Sequence, residues 1–251
     1  MAEKKPYGTV LIRAAKIMDF LAVQPDQTLQ AIAQATEMTA STTIKILETL
    51  VSIHYVQKGK DKTYRLGAKL VRYANKRLEQ IDLSELTLPY FEKLQQQIDE
   101  TIHLGVLNAD EVLYINKLEP KNQTIRMSSK VGITRPLYNS AMGKAILAEF
   151  TDPEIEQYLA THSLAAMTKR TITQPAQLWV AIDAIRQTGV AYDDEEVERD
   201  IFCSAVTLKK GTQILGAFSI SMPKYRLTEE KKQLINHELL ATKACIEQAI
   251  P

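Results

Sequence analysis

Ser41, Thr42 and Lys45 fall within one turn of a stretch that reads as a helix, and they are residue types that meet a DNA duplex. Short hydroxyls reach base edges or phosphates without a long flexible stem. A lysine neutralises a phosphate or approaches a guanine, and the neighbouring Ile44 can lie against a thymine methyl. Thr39 opens the stretch as a cap. Behind it, Lys58, Lys60 and Lys62 crowd a Gly-containing turn between Tyr55-Val56 and Thr63-Tyr64, two short strand-like pairs. A basic hairpin directly after such a helix suits the phosphate backbone. Singly, a solvated helix face and a hairpin made soluble by lysines account for the same residues; in sequence they point to DNA.

A second set suits a small anionic ligand, which is held by backbone N–H groups at a helix start, a few hydroxyls and a space that excludes bulk water. Ser140, Ala141 and Met142 open the helical run NSAMGKA, while Asp193 and Cys203 flank an acidic loop. Ser219 and Ser221 lie two apart on a strand, so their hydroxyls share one side. Plainer readings are a cap serine, a buried thiol acting as a small hydrophobe, and strand serines satisfied by neighbours. Cys203 with Asp193 nearby also suggests a nucleophile, but none of His54, His103, His162 and His237 stands at a motif-like position to activate it. Those histidines, with Cys203 and Cys245, give neither a disulfide framework nor metal-ligand spacing, so no metal or cofactor is expected. Gly143-Lys144 lacks the glycine spacing of a phosphate loop and reads as a point of close helix approach.

The elements that must carry these residues follow from hydrophobic period. Residues 9–23 make a helix with Val10, Ala14, Ile17, Met18 and Leu21 on one stripe, ended by Gln24-Pro25-Asp26. Thr28 caps a second helix through Leu29, Ile32 and Ala33, Thr36-Glu37-Met38 leaves room for a turn, and the helix after Thr39 buries Thr43, Ile46, Leu47 and Leu50. With the hairpin, this is the outline of a winged helix-turn-helix. Residues 67–81 read as a helix with Leu70, Tyr73, Ala74 and Leu78 apolar and Lys69, Arg72, Lys76 and Arg77 outward. Another helix spans 82–100, Pro89 standing in its opening turns or at a kink. Strands are expected over 101–108, 112–118, 124–128, 201–209 and 213–221. Helices are expected over 139–150, 153–162 and 175–188, the last stopped by Gly189, and a final helix begins at Thr228. The pattern is α+β with a mainly antiparallel sheet.

At 251 residues, 45% hydrophobic and 24% charged, the chain is long enough for two domains. No run approaches the roughly 18 apolar residues of a membrane span, and MAEKKPYG lacks the apolar core of a signal peptide, so a soluble cytoplasmic protein is expected. The net charge of +1 hides an asymmetry: the first 80 residues hold 13 basic and 7 acidic side chains, the remainder 18 and 23. The cation excess sits with the helix-turn-helix, as a polyanion partner requires.

The ordered strings AIAQAT…STTIKILETL, YV, YRLGAKL, ETIHLGVL, RPLYNSAMGKAILA, GVAYDDEE and AFSISMPKYRLTEE together resemble an IclR-family transcriptional regulator over nearly the whole chain. The resemblance implies a regulator rather than an enzyme, in three parts: a winged helix-turn-helix over 1–66, a linker helix over 67–81, and a GAF-like effector-binding domain over 82–251. It implies repression of a DNA operator, homodimers paired into tetramers, and contacts from Ala141, Met142, Asp193, Cys203, Ser219 and Ser221 to small keto- and hydroxy-acids. The strings look closest to the branch that represses pectin and hexuronate catabolism in response to 2-keto-3-deoxygluconate. A winged-helix regulator without a small-molecule ligand and a Cys203-dependent enzyme are the rival readings. Two departures from the family pattern stand out. Asp200 replaces the usual Gly three residues before the cysteine, which places a carboxylate toward the pocket mouth and alters the loop's turn. Ile44 stands where the family often has an aromatic residue or His. Arg135, in RPLY, stands either near the ligand or in a surface ion pair.

Overall fold

The computed structural model describes residues 8–79, 83–124 and 127–250, and of 74–79 the backbone alone. The chain divides into two compact units, Met1–Ile81 and Asp82–Pro251. Among the described residues no helix is long and apolar enough to cross a membrane.

In the first unit, helix α1 (Thr9–Val23) buries Ile17 and Leu21. Val10, placed on the same stripe by its spacing, is 61% exposed, because the core begins at Ala14 and the opening turn of α1 runs past it. A two-residue strand β1 (Gln27–Thr28) leads into α2 (Leu29–Ala35), where the Thr28 hydroxyl accepts the Ala31 amide at 3.3 Å. After α2 the chain reverses through Glu37 at φ 55, a left-handed conformation that frees α3 (Ala40–Ser52) to leave in a new direction. Helix α3 buries Thr43, Ile46, Leu47 and Leu50, the face expected from period. Strands β2 (Val56–Lys58) and β3 (Thr63–Leu66) form the hairpin, and β1 pairs on β3 to make a three-stranded sheet in the order β1-β3-β2. Helix α4 (Ala68–Glu79) follows. The expected side-chain roles of Ala74, Lys76, Arg77 and Leu78, and the terminal segment MAEKKPY, lie outside the described residues.

The second unit is a six-stranded antiparallel sheet with helices on both faces. Helix α5 (Leu83–Ile98) carries Pro89 in its second turn and leads to β4 (Thr101–Asn108) and β5 (Glu111–Leu118). The third strand of this edge is β6 (Thr134–Pro136), not 124–128. Of that expected strand Ile125 and Arg126 lie outside the described residues, and Thr124, Met127 and Ser128 are not in a strand. Its apolar alternation has no strand to pair with, since β6 holds the free edge of β5. Then come α6 (Ala141–Ala148), α7 (Asp152–Thr161) and α8 (Pro175–Thr188), the last ending at Gly189 with φ 75. Strands β7 (Ala191–Asp194), β8 (Ile201–Lys210) and β9 (Gln213–Pro223) complete the sheet, order β6-β5-β4-β9-β8-β7, and α9 (Glu229–Ala249) closes the unit.

Alternation along the strands gives the two faces opposite character. Phe218, Ile220 and Met222 of β9 and Ile102 and Leu104 of β4 are large and buried, and Phe218 meets Phe91 of α5 with ring centroids 5.1 Å apart. The opposite face presents Ala191, Cys203, Ala205 and Ala217 to the core formed with α6, α7 and α8. Helix α6 is buried on every side. It approaches its neighbours so closely that a Cβ on Gly143 would stand 2.4 Å from the Leu137 carbonyl oxygen.

Candidate functional site

On the first unit α3 turns Ser41, Lys45 and Glu48 outward among its exposed residues, with Thr42 and Ile44 half-buried. Thr39 is engaged as the cap: its hydroxyl accepts the Thr42 amide at 3.3 Å and donates to the Thr42 hydroxyl at 3.0 Å. Ile44 packs against the unit's core, which leaves Ser41 and Lys45 the most accessible of the helix positions singled out from sequence. In the hairpin, Gly59 accepts from the Lys62 amide at 3.3 Å and donates to the Thr63 carbonyl at 2.7 Å, forming a tight tip with Lys62 at φ 59. Lys60 and Lys62 are exposed there, and the Lys58 ammonium lies 5.6 Å from the Tyr64 ring centroid.

On the second unit, the small-residue face of the sheet holds a cavity of about 50 Å³, room for a few water-sized groups. Asp193, Cys203 and Ser221 line it, from three strands in register: Asp193 opposite Cys203, and Cys203 opposite Ser221. Arg135 of β6 lines it as well and forms no ion pair among the described residues, so of its two expected settings it occupies the one beside the cavity. The sequence reading missed His103, Tyr114, Ser129 and Glu198, which also line it, with Met127, Ser128, Val197 and Ile201 making up the rest of the wall. Their signal was present in part: Thr101, His103 and Gly105 alternate with Ile102, Leu104 and Val106, which puts the histidine on the polar side of β4.

The polar side chains form one connected chain. The Ser221 hydroxyl lies 3.1 Å from the Cys203 sulfur and 3.3 Å from His103 Nδ1, and His103 Nε2 is 2.7 Å from the Ser129 hydroxyl. Burial, reinforced by the Lys117 cation, pushes the His103 pKa down to about 3, so the ring is neutral at physiological pH. Burial pushes Asp193 up to about 7, although the Glu196 amide, donating to Oδ1 at 2.7 Å, and the Lys144 cation pull it back. Burial and then the Asp193 carboxylate drive the Cys203 thiol well above its ordinary value. A thiol held protonated is a weak hydrogen-bonding wall, not a nucleophile.

Ser140, Ala141, Met142 and Ser219 do not line the cavity. Ser140 is the α6 cap, its hydroxyl accepting the Gly143 amide at 3.0 Å and donating to the Pro136 carbonyl at 3.3 Å. Ala141 and Met142 are core residues, and a Cβ on Gly105 would stand 3.3 Å from the Met142 methyl. Their backbone N–H groups have no acceptor among the described residues, as expected for the first turn of a helix. Ser219 sits two residues along β9 from Ser221, buried between His103 and Ala205.

The loop from β7 to β8 forms one side of the mouth. Asp200 takes φ 61 and Glu195 φ 63, so the turn favoured by a glycine is kept without one. The Asp200 carboxylate does not reach the cavity; the acid at the mouth is Glu198, which accepts from the Ser128 hydroxyl at 2.9 Å. Beneath the loop, Lys144, only 2% exposed, forms a buried ion pair with Glu196. Glu196 also accepts the Ile172 amide at 3.3 Å, and burial raises its pKa. A lone lysine inside the apolar run AMGKAILA was the sequence signal for this pair.

Comparison with known proteins agrees with both halves. Residues 10–59 match the IclR helix-turn-helix domain family, and residues 75–247 match the bacterial transcriptional regulator IclR C-terminal family. The HTH-type transcriptional regulator KdgR of Escherichia coli K12 is 32% identical over 226 residues, 89% of this chain and 85% of that protein. The crystal structure of Thermotoga maritima IclR superposes with a TM-score of 0.78 at 31% identity, covering 96% of this chain and 98% of that one. An IclR homologue of Microbacterium hydrocarbonoxydans, solved in complex with 4-hydroxybenzoate, shares the fold with a TM-score of 0.80 at 21% identity, covering 96% of this chain and 100% of that chain. With a helix-turn-helix unit ahead of an antiparallel-sheet unit, and both family matches in place, this chain belongs to the IclR family of transcriptional regulators.

Proposed function

We propose that this regulator is a repressor whose hold on its operator is set by a small carboxylate or sugar acid bound in the cavity of the second unit. The observation that carries the reading is the grouping of Arg135, Asp193, Cys203, His103 and Ser221 around one cavity. The guanidinium offers a bidentate seat for a carboxylate, while Ser221 and Asp193 suit hydroxyls further along the ligand. The Ala141 and Met142 amides and Ser219 lie behind this wall and join the site if the ligand reaches the α6 start. A homologue that binds 4-hydroxybenzoate, itself a small carboxylate, supports the ligand class. Thr39, Ser41, Thr42, Ile44 and Lys45, with the wing lysines Lys58, Lys60 and Lys62, form the operator surface. Two such units, paired as a homodimer and assembled as a dimer of dimers, supply half-sites roughly 34 Å apart. Repression is relieved because the effector prefers one arrangement of the protein over the other.

A thermal-shift panel of keto-acids, sugar acids and aromatic acids, including 2-keto-3-deoxygluconate, tests this. A ligand at 100 times its Kd adds about 2.7 kcal/mol to the native state. Loss of that shift in Arg135→Gln and Ser221→Ala identifies the cavity. No shift across the panel refutes the effector reading and favours a winged-helix regulator that senses without a small ligand.

A further inference from the structure

The groove between α1 and the α2–α3 turn is a second feature of the first unit, distinct from the outward face of α3. It is an open groove of about 360 Å³, lined by Arg13 and Lys16 on one side and by Thr39 and Thr42 on the other. Arg13 and Lys16 are three residues apart, so a single side of α1 carries both cations toward the groove. Both are exposed, and neither forms an ion pair among the described residues. Glu37 is the one carboxylate of the lining, which leaves the groove with a formal excess of one positive charge. Thr42 belongs to both places: it lies on the half-buried margin of the outward α3 face and in the wall of the groove. The groove therefore opens onto the surface that the recognition reading turns toward the duplex.

We propose that Arg13 and Lys16 form a phosphate clamp, holding a backbone phosphate on the rim of the major groove that α3 enters. The inference rests on the DNA-binding reading of α3 and extends it to a helix that carries none of the base-reading positions. A guanidinium and an ammonium converging on one anion suit a phosphodiester, and hydroxyls at the opposite wall can donate to its remaining oxygens. The clamp touches no base edge, so it contributes affinity and orientation without sequence preference.

The test is duplex binding by fluorescence anisotropy between 50 and 200 mM salt, using two mixed-sequence 30-base-pair duplexes of different composition. Each phosphate contact contributes about 0.9 to the slope of log K against log salt. Arg13→Gln/Lys16→Gln lowers the slope by about one for each DNA-binding unit engaged, equally on both duplexes, and Arg13→Lys/Lys16→Arg restores it. Glutamine retains good helix propensity, and circular dichroism checks that both variants fold. Lys93→Gln/Lys169→Gln, which removes the same charge from exposed positions of the second unit, leaves the slope unchanged. A slope for Arg13→Gln/Lys16→Gln equal to that of this control, while Lys45→Ala still lowers it, overturns the clamp and leaves the α3 reading intact. Absence of salt-dependent duplex binding by the unaltered protein overturns both.

Discussion

Removing either member of the Lys144–Glu196 pair leaves a charge stranded in the core of the second unit. Both residues are at least 95% buried, so water screens little of what is lost. Breaking a buried pair from one side costs about 3–5 kcal/mol, because the surviving charge keeps its desolvation penalty and loses its partner. At roughly 2–4 °C per kcal/mol for a unit of about 170 residues, Lys144→Met and Glu196→Gln each lower Tm by roughly 6–20 °C. Trp179 is the chain's single tryptophan and packs on the α6 core, so its fluorescence reports this unit alone. The two variants then part with pH. In Lys144→Met the carboxyl of Glu196, already raised by burial, loses its cation and rises further. Its folded pKa then lies above the unfolded value of about 4.3, so this group's contribution to stability is full below that value and is lost as pH rises toward the folded pKa. Lys144→Met therefore recovers in acid relative to the unaltered protein, whereas Glu196→Gln, whose stranded charge is an ammonium, does not. The double variant Lys144→Met/Glu196→Leu returns most of the lost stability. A cost below 1 kcal/mol for both single variants, or no acid recovery in Lys144→Met, refutes the account.

Two further predictions use the same loop. Asp200→Gly relieves a left-handed backbone at φ 61 and raises stability by about 0.5–1 kcal/mol in urea denaturation, after the larger unfolded-state entropy of glycine is subtracted; a loss would show that the aspartate makes a compensating contact. Asp193, with its pKa lifted to about 7, is protonated in the native state where the unfolded chain has already ionised. Its contribution is full below about pH 4 and is lost as pH rises to about 7, with a slope approaching 1.4 kcal/mol per pH unit that Asp193→Asn abolishes. Identical pH profiles for the two proteins would refute the burial of that carboxyl.

Much of the first unit was legible because its signals are local. Thr28 and Thr39 stand at helix starts with the right hydroxyl, and the 43/46/47/50 spacing leaves one buried face for α3. Strand β1 was not legible: two residues carry no period, and its place depends on β3, more than thirty residues away. For the same reason β7 was missed, and β6 was displaced to 124–128, where alternation is better than in Thr134–Pro136. In the site, Asp193, Cys203 and Ser221 meet because three strands are in register, a relation that single-strand spacing cannot encode. That spacing puts Ser219 and Ser221 on one side of β9, but it does not say how far the cavity extends along the strand, and of the two only Ser221 lines it.

The contrast between the sheet's two faces also separates two kinds of evolutionary freedom. Positions 202, 206, 218, 220 and 222 hold bulky apolar side chains that keep the second unit folded, while 203, 205, 219 and 221 on the same strands hold Cys, Ala and Ser. Of the latter, 203 and 221 line the cavity, so a methyl or hydroxyl gained or lost there changes its chemistry without touching the bulky face. Such a scaffold can exchange one set of cavity-lining groups for another by single substitutions while the bulky face keeps the unit folded.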